Sequence, residues 1–252
     1  MMELTLPKVA LVSKENFPLF PWSWPWCSLT GVPLRPLELF LSRKFTFSYL
    51  ILIWVFWLSD ITGPANDCYI TGGGISCISG IWPGDLVDAP IRFFTSLFVI
   101  PFFHHDTIHI VFVTMSFLVF VQSFEVREGA IRTYILFMIC LSVAAVGVTV
   151  GMHIGELINS DSEFLRIGFA RNWSGGSAGM FGIIGASSHQ VRKVWMVPTI
   201  AVVFETWNHF FNGIGTLTST AHMVSMTVGF LLWGYWISSH SESRAIKENR
   251  DS

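Results

Sequence analysis

The chain has 252 residues, of which 52% are hydrophobic and only 13% are charged. Soluble domains carry about 25% charged residues, so this supply of charge is too small to cover the exterior of a soluble protein of this length. The composition therefore predicts an integral membrane protein in a lipid bilayer, and the net charge of −2 gives no indication of a nucleic-acid partner.

Apolar segments of suitable length predict an all-α membrane protein with six spanning helices, because a helix needs about 20 apolar residues to cross a bilayer. Residues 1–44 are expected to lie on one membrane face, since prolines and tryptophans alternate in "FPLFPWSWPWC". A six-helix membrane domain follows over 45–238, and a polar tail over 239–252 is expected to be disordered. The predicted spans cover approximately residues 45–61, 104–123, 131–153, 175–188, 194–212 and 217–237.

Six spans place both termini on the same side of the membrane. With these boundaries, 12 of the 15 Lys and Arg residues lie on the side of the termini, and three lie on the other: Arg92, Arg166 and Arg171. Positive residues favour the cytoplasmic side, so both termini are predicted to be cytoplasmic. One span more or fewer would destroy this asymmetry.

Two segments between the first two predicted spans are not expected to cross the membrane. Turn-forming residues dominate "TGPANDCYITGGGISCISGIWPGDLVDAP", which predicts an external loop. An oxidising external compartment would permit a disulfide between its Cys68 and Cys77, although both can also stay reduced. The following residues 91–103 are apolar but too short for a span, so we expect them to be partly embedded.

The start of the fourth predicted span, "WSGGSAGMFGIIG", places Ser177 in a G-x-S-x-G pattern. The same pattern marks the nucleophile elbow of α/β hydrolases, but that elbow needs a β-strand before the serine. A polar loop precedes Ser177 and an apolar helix follows it, so the elbow does not fit. Ser177 is then either a nucleophile of another kind or a small residue that serves helix packing.

His222 is a candidate base for Ser177. The fourth and sixth predicted spans both enter from the external side, and both residues lie about one turn inside them, at the same depth. An imidazole there could remove the serine proton, although packing alone also accounts for the small residues. These allow the two helices to approach closely: Gly175, Gly179, Gly182, Gly185 and Ala186 on the fourth span, and Ala221, Ser225 and Gly229 on the sixth.

Five motifs follow one another along the chain: "IRFFTSLF", "HHDTIHIVF", "EVREG", "GGSAGMFGIIGA" and "AHMVSMTVG". They resemble, in the same order, the arginine–aromatic loop, the histidine-rich second helix, the E-x-R-x-G turn, the G-x-S-G segment and the A-H-x(6)-G segment of the rhomboid family of intramembrane serine proteases. His104 and His109 have the family's five-residue separation, and Glu125 follows His109 by 16 residues.

The resemblance implies a Ser–His dyad in a water-filled cavity that opens to the external side, acting without a cofactor or metal on single-span membrane proteins. Ser177 would attack the peptide carbonyl, and His222 would act as base and then as acid. The Ser177 backbone amide and the His109 side chain would stabilise the oxyanion. The other motif positions would be structural: Arg92, His104, Glu125, Arg127, Gly129, Gly175 and Gly229.

Two positions depart from the family pattern. Val113 stands where the family usually has an asparagine that donates to the oxyanion, and Ala178 replaces the glycine after the serine. An inactive rhomboid-like protein that binds or routes membrane-protein clients is therefore the alternative function. A transporter is a third class, but the sequence lacks the internal symmetry that would indicate one.

Two further groups of polar residues lie in or near the predicted spans. His105 and His109 are four residues apart, as metal ligands can be on a helix, but the H-E-x-x-H glutamate is missing. Glu205 and His209 have the same spacing near the external end of the fifth span and could form a gate or relay, since ionisable residues in a span avoid lipid. Nearby aromatic residues would suit a helix that leans aside to admit substrate: Trp207, Phe210 and Phe211.

Overall fold

The computed structural model describes residues 18–63, 68, 74–211 and 215–248. Residues 1–17 of the expected interfacial segment, parts of the external loop and the last four residues of the chain lie outside the described residues. In the described part all regular elements are helical, which confirms the all-α prediction. The α-helices are α1 (Pro36–Ser42), α2 (Lys44–Leu58), α3 (Ile75–Ser79), α4 (Asp85–Asp88), α5 (Pro90–Val99), α6 (Thr107–Ser116), α7 (Gln122–Glu128), α8 (Ala130–Ile158), α9 (Glu163–Phe169), α10 (Ser177–Ser187), α11 (Met196–Phe211) and α12 (Thr216–Glu248).

Two helices in the described residues are long and apolar enough to cross a membrane. One is the continuous helix Thr107–Glu128, in which a π-helical turn joins α6 to α7, and the other is α8. A third becomes possible if α1 and α2, which meet at an angle of 100°, form one broken span. These three match the first three predicted spans, while the spanning character of α10, α11 and α12 stays a prediction.

The polar tail is not disordered along its whole length. Helix α12 continues to Glu248, about ten residues beyond the end predicted for the sixth span. No glycine or proline interrupts the sequence "SSHSESRAIKE", and several of its residues are good helix formers. The prediction of disorder was therefore wrong for residues 239–248.

Helix α10 is the centre of the bundle, and all its residues from Gly179 to Ser187 are buried. It packs between α8 and α12 at distances that only glycine permits. A Cβ atom on Gly179 would overlap the ring of Phe137 on α8, and one on Gly185 would overlap the backbone carbonyl of Met226 on α12. Small residues therefore bring these helices together backbone to backbone, as their spacing in the sequence predicts.

The "EVREG" turn ties several elements together at the end of the bundle opposite Ser177. The carboxylate of Glu125 accepts hydrogen bonds of 2.8 Å from the backbone N–H groups of Phe45 and Thr46, and so caps the start of α2. Arg127 donates to the backbone oxygen of Pro21 at 2.6 Å. The two side chains thus bind different partners. Gly129 ends α7 with a φ of +89°, which glycine adopts without strain.

Arg43 is fully buried at the bend between α1 and α2. Its guanidinium donates to the side-chain oxygen of Gln122 at 2.7 Å and to the backbone oxygen of Cys27 at 2.7 Å. Arg43 falls within residues 1–44, for which the sequence predicts only a segment on the membrane face. In the structure Arg43 links the segment "FPWSWPWC" to α7 through these hydrogen bonds. Its partners are distant in the sequence, so a local sequence pattern does not predict them.

Candidate active site

The loop before α10 is held in a fixed path by backbone hydrogen bonds. Trp173 pairs with Ile81 in an isolated antiparallel bridge, with N–H···O distances of 2.9 and 3.1 Å. The N–H of Gly175 donates to the carbonyl of Ile100 at 3.0 Å, and Gly175 has a φ of +97°. Helix α10 begins directly after this loop, with Ser177 as its first residue.

The side chains of Ser177 and His222 meet in a hydrogen bond. The Oγ atom of Ser177 lies 3.0 Å from Nε2 of His222, within the reach that proton transfer requires. The two residues are only 7% and 4% exposed. The ring of Phe181, one turn further along α10, stacks on the imidazole with centroids 4.2 Å apart and planes inclined by 7°. The imidazole is therefore held in one plane against α10.

The other ring nitrogen of His222 faces a carboxylate. Nδ1 lies 2.9 Å from Oε1 of Glu205, which is 3% exposed. An ionised carboxylate only accepts hydrogen bonds, so the pair fixes the proton on Nδ1 and leaves Nε2 as the acceptor for the serine hydroxyl. Helical spacing in the sequence predicts that Glu205 pairs with His209. It does not predict the observed bond between Glu205 and His222. The signal was an ionisable residue near the external end of an apolar helix, at the depth of the dyad.

A cavity of about 630 Å³ opens over these three residues. Its wall also includes His109, whose ring lies so close to Gly175 that a Cβ atom there would overlap it. The first N–H groups of a helix have no partner within that helix, so the amide of Ser177 is a further donor beside the cavity. The serine oxygen, the amide and the His109 ring thus lie around one space, in which a carbonyl group can be held.

His109 is positioned by its own helix start. Asp106 is the N-cap of α6, and its carboxylate accepts from the backbone N–H of His109 at 2.8 Å. The buried ring of His104 packs against the His109 ring, with centroids 4.9 Å apart. Val113, one turn further, is fully buried in the hydrophobic core and has no donor to offer. In the described residues no group of three or more His, Cys, Asp or Glu side chains is arranged to hold a metal ion.

An ion pair and a disulfide stabilise the external loop between the first two predicted spans. Arg92 forms a salt bridge with the buried carboxylate of Asp85, and this hydrogen bond raises the pKa of the Arg92 guanidinium. Cys68 and Cys77 are joined by a disulfide with Cα atoms 4.9 Å apart. Arg92 is thus bound to the loop and makes no contribution to the wall of the cavity.

Comparison with protein-family models, with curated proteins and with solved structures gave no match. The assignment of a function therefore depends on the motifs of the sequence and on the geometry around Ser177.

Proposed function

We propose that the protein is an intramembrane serine protease of the rhomboid type, which cleaves single-span membrane proteins near the external end of their helix. The observation that carries the proposal is the 3.0 Å contact between Ser177 Oγ and His222 Nε2 at the wall of the cavity. The order of the five motifs along the chain supports the same assignment. No cofactor is required for this chemistry.

The reaction follows from the positions of these groups. His222 takes the hydroxyl proton of Ser177 as Oγ attacks the carbonyl carbon of the scissile bond. The Ser177 amide and the His109 ring donate to the oxyanion that forms. His222 then returns the proton to the leaving amine, and a water molecule, activated by the same imidazole, releases the acyl group from Ser177.

The proposed topology has six spans and cytoplasmic termini. Its spans are α2, Thr107–Glu128, α8, α10, α11 and α12, and its support is the distribution of Lys and Arg residues. Helix α10, with 11 residues, is only about 16 Å long, which is shorter than the hydrocarbon core. It can be short because protein surrounds it on all sides and water can enter from its N-terminal end.

The substrate must be unwound at the cleavage site, because a helical backbone uses its carbonyl groups in internal hydrogen bonds. Small or helix-breaking residues at that site are therefore expected. Helix α11 presents exposed aromatic side chains to its surroundings, Trp207, Phe210 and Phe211. A helix that contacts lipid along one face can lean aside to admit a substrate helix, and we assign this role to α11.

Labelling with a fluorophosphonate probe tests the proposal directly, because the probe reacts with activated serines only. The wild type should be labelled, and Ser177→Ala and His222→Ala should not. Ser187→Ala is the matched control, since Ser187 lies on the same helix and its hydroxyl donates to the carbonyl of Ile183 at 2.8 Å, within α10 itself. Labelling that persists in Ser177→Ala but disappears in Ser174→Ala would move the nucleophile to Ser174, whose hydroxyl contacts His105.

A client-binding protein of the same fold is the second candidate function. Val113 and Ala178 favour it, because the family's usual donor at position 113 is replaced by a buried valine. Under this alternative, membrane proteins should co-purify equally with the wild type and with His222→Ala, and neither preparation should yield a cleavage product.

A further inference from the structure

We propose that Glu205 is a positioning residue for the base, so that Ser177, His222 and Glu205 act as one hydrogen-bonded chain. This inference rests on the proposed protease function and adds a third member to the dyad that the sequence motifs imply. Its geometric basis is the 2.9 Å contact between Oε1 of Glu205 and Nδ1 of His222. All three side chains are buried and line the same cavity.

The position of Glu205 on α11 separates this role from a general structural one. The buried side of α11 is a stripe at helical spacing that begins with Val197 and Ala201 and continues with Glu205 and Asn208. It changes from apolar to polar at the height of Ser177 and His222. A buried carboxylate in an apolar helix is costly unless it is paired. The candidate base is the first partner of Glu205, and the hydroxyl of Ser219 also interacts with the carboxylate.

The carboxylate supplies what the other neighbours of His222 cannot. Stacking on Phe181 fixes the plane of the imidazole, but it does not decide which nitrogen carries the proton. Glu205 accepts from Nδ1–H and so keeps Nε2 free to accept from Ser177. Amide replacement of the carboxylate in such a chain leaves the geometry intact but favours the wrong tautomer.

Glu205 also stabilises the charge that develops during the reaction. When the serine proton moves to Nε2, the imidazole becomes a cation with its Nδ1–H directed at the carboxylate. The proton then passes from Nε2 to the leaving amine, and Glu205 stays ionised throughout. His109, on α6, also interacts with His222, and the wall of the same cavity carries the further titratable groups His105, Asp106 and Arg171. His209, one turn further along α11, interacts electrostatically with Glu205.

The test compares Glu205→Gln, Glu205→Asp and Glu128→Gln in the purified full chain. The rate of fluorophosphonate labelling of Ser177 is measured against pH, and kcat and KM are measured with a fluorogenic single-span peptide that contains Ala-Gly in its cleavage region. Glu128→Gln is the matched control, because Glu128 accepts from Gln190 at 3.0 Å and lies near Arg132 at the opposite end of the bundle.

Glu205→Gln should lower the labelling rate and kcat by roughly 10³- to 10⁴-fold, with KM changed little. The acid limb of the pH profile should move to lower pH, because loss of the negative charge makes protonation of His222 less favourable. Glu205→Asp should recover part of the rate, and Glu128→Gln should match the wild type in both rate and profile.

Two results would overturn the inference while leaving the protease function intact. One is a Glu205→Gln variant whose labelling rate and pH profile are the same as those of the wild type. The other is a fall in the labelling rate of Glu205→Gln that is accounted for by a lower melting temperature and is equally large in Glu128→Gln. Absence of Ser177 labelling in the wild type would overturn both proposals together.

Discussion

Gly229 of α12 lies directly against the backbone carbonyl of Gly182 of α10, so closely that a Cβ atom on Gly229 would overlap the carbonyl oxygen. Ser177 and His222 lie on the same two helices, five and seven residues before this contact. The glycine contact therefore sets the separation of the two helices on which the 3.0 Å bond between serine and histidine depends.

Gly229→Val should separate α10 from α12 and lower both stability and activity. Overpacking in a dense interior costs about 1–3 kcal/mol, and here the obstacle is a backbone carbonyl that cannot rotate away. Gly147→Ala on α8 is the matched control, since a Cβ atom there meets no other atom within 4 Å. Thermal unfolding and fluorophosphonate labelling of both variants measure the effect. A stable and fully labelled Gly229→Val would show that the contact does not set the geometry of the site.

Gly175→Ala should weaken the oxyanion site. The added Cβ atom would overlap the His109 ring, so His109 must turn out of its place in the cavity wall. Loss of one oxyanion donor typically costs 10²- to 10³-fold in kcat. A non-glycine residue at a φ of +97° also costs about 1–2 kcal/mol.

Gly31→Ala separates these two effects. Gly31 has a similar φ of +82°, but a Cβ atom there has no neighbour within 4 Å. It should lose stability in proportion to backbone strain and keep its labelling rate per folded molecule. Equal losses of labelling rate in the two variants would contradict the role assigned to His109.

The sequence predicted the helical class and the approach of α10 to α12, because apolar length and glycine spacing are local properties. It did not predict the bond between Glu205 and His222, because that bond depends on the rotation of α11 about its own axis, which only tertiary packing decides. The burial of Arg43 was missed for the same reason: its partners, Gln122 and Cys27, are distant in the chain. The predicted number of six spans is supported by the unequal distribution of Lys and Arg residues between the two sides of the membrane.

Arg127→Ala should lower stability and leave chemistry intact. The guanidinium bonds the Pro21 carbonyl at 2.6 Å and the Gln190 side chain at 3.2 Å, far from Ser177 along the bundle. Hydrogen bonds to charged groups are worth about 1.5–3 kcal/mol each, so the melting temperature should fall by several degrees. Arg132→Ala is the control, because Arg132 is exposed and its salt bridge of 3.8 Å to Glu128 contributes little. An unchanged melting temperature with lost labelling would instead give the turn a part in the mechanism.

The disulfide between Cys68 and Cys77 provides a test of which face of the membrane carries the site. Closing a loop of this length stabilises a protein by about 2–3 kcal/mol in the chain-entropy model, so Cys77→Ser should unfold at a lower temperature. In sealed vesicles with the external face outward, a membrane-impermeant reductant followed by a membrane-impermeant maleimide should label Cys68 and Cys77. Cys27 is the internal control: it is a free, partly exposed thiol in the segment assigned to the cytoplasmic face, and it should react only after the vesicles are opened. Labelling of Cys27 before Cys68 and Cys77 would reverse the proposed orientation, and with it the side from which water reaches Ser177.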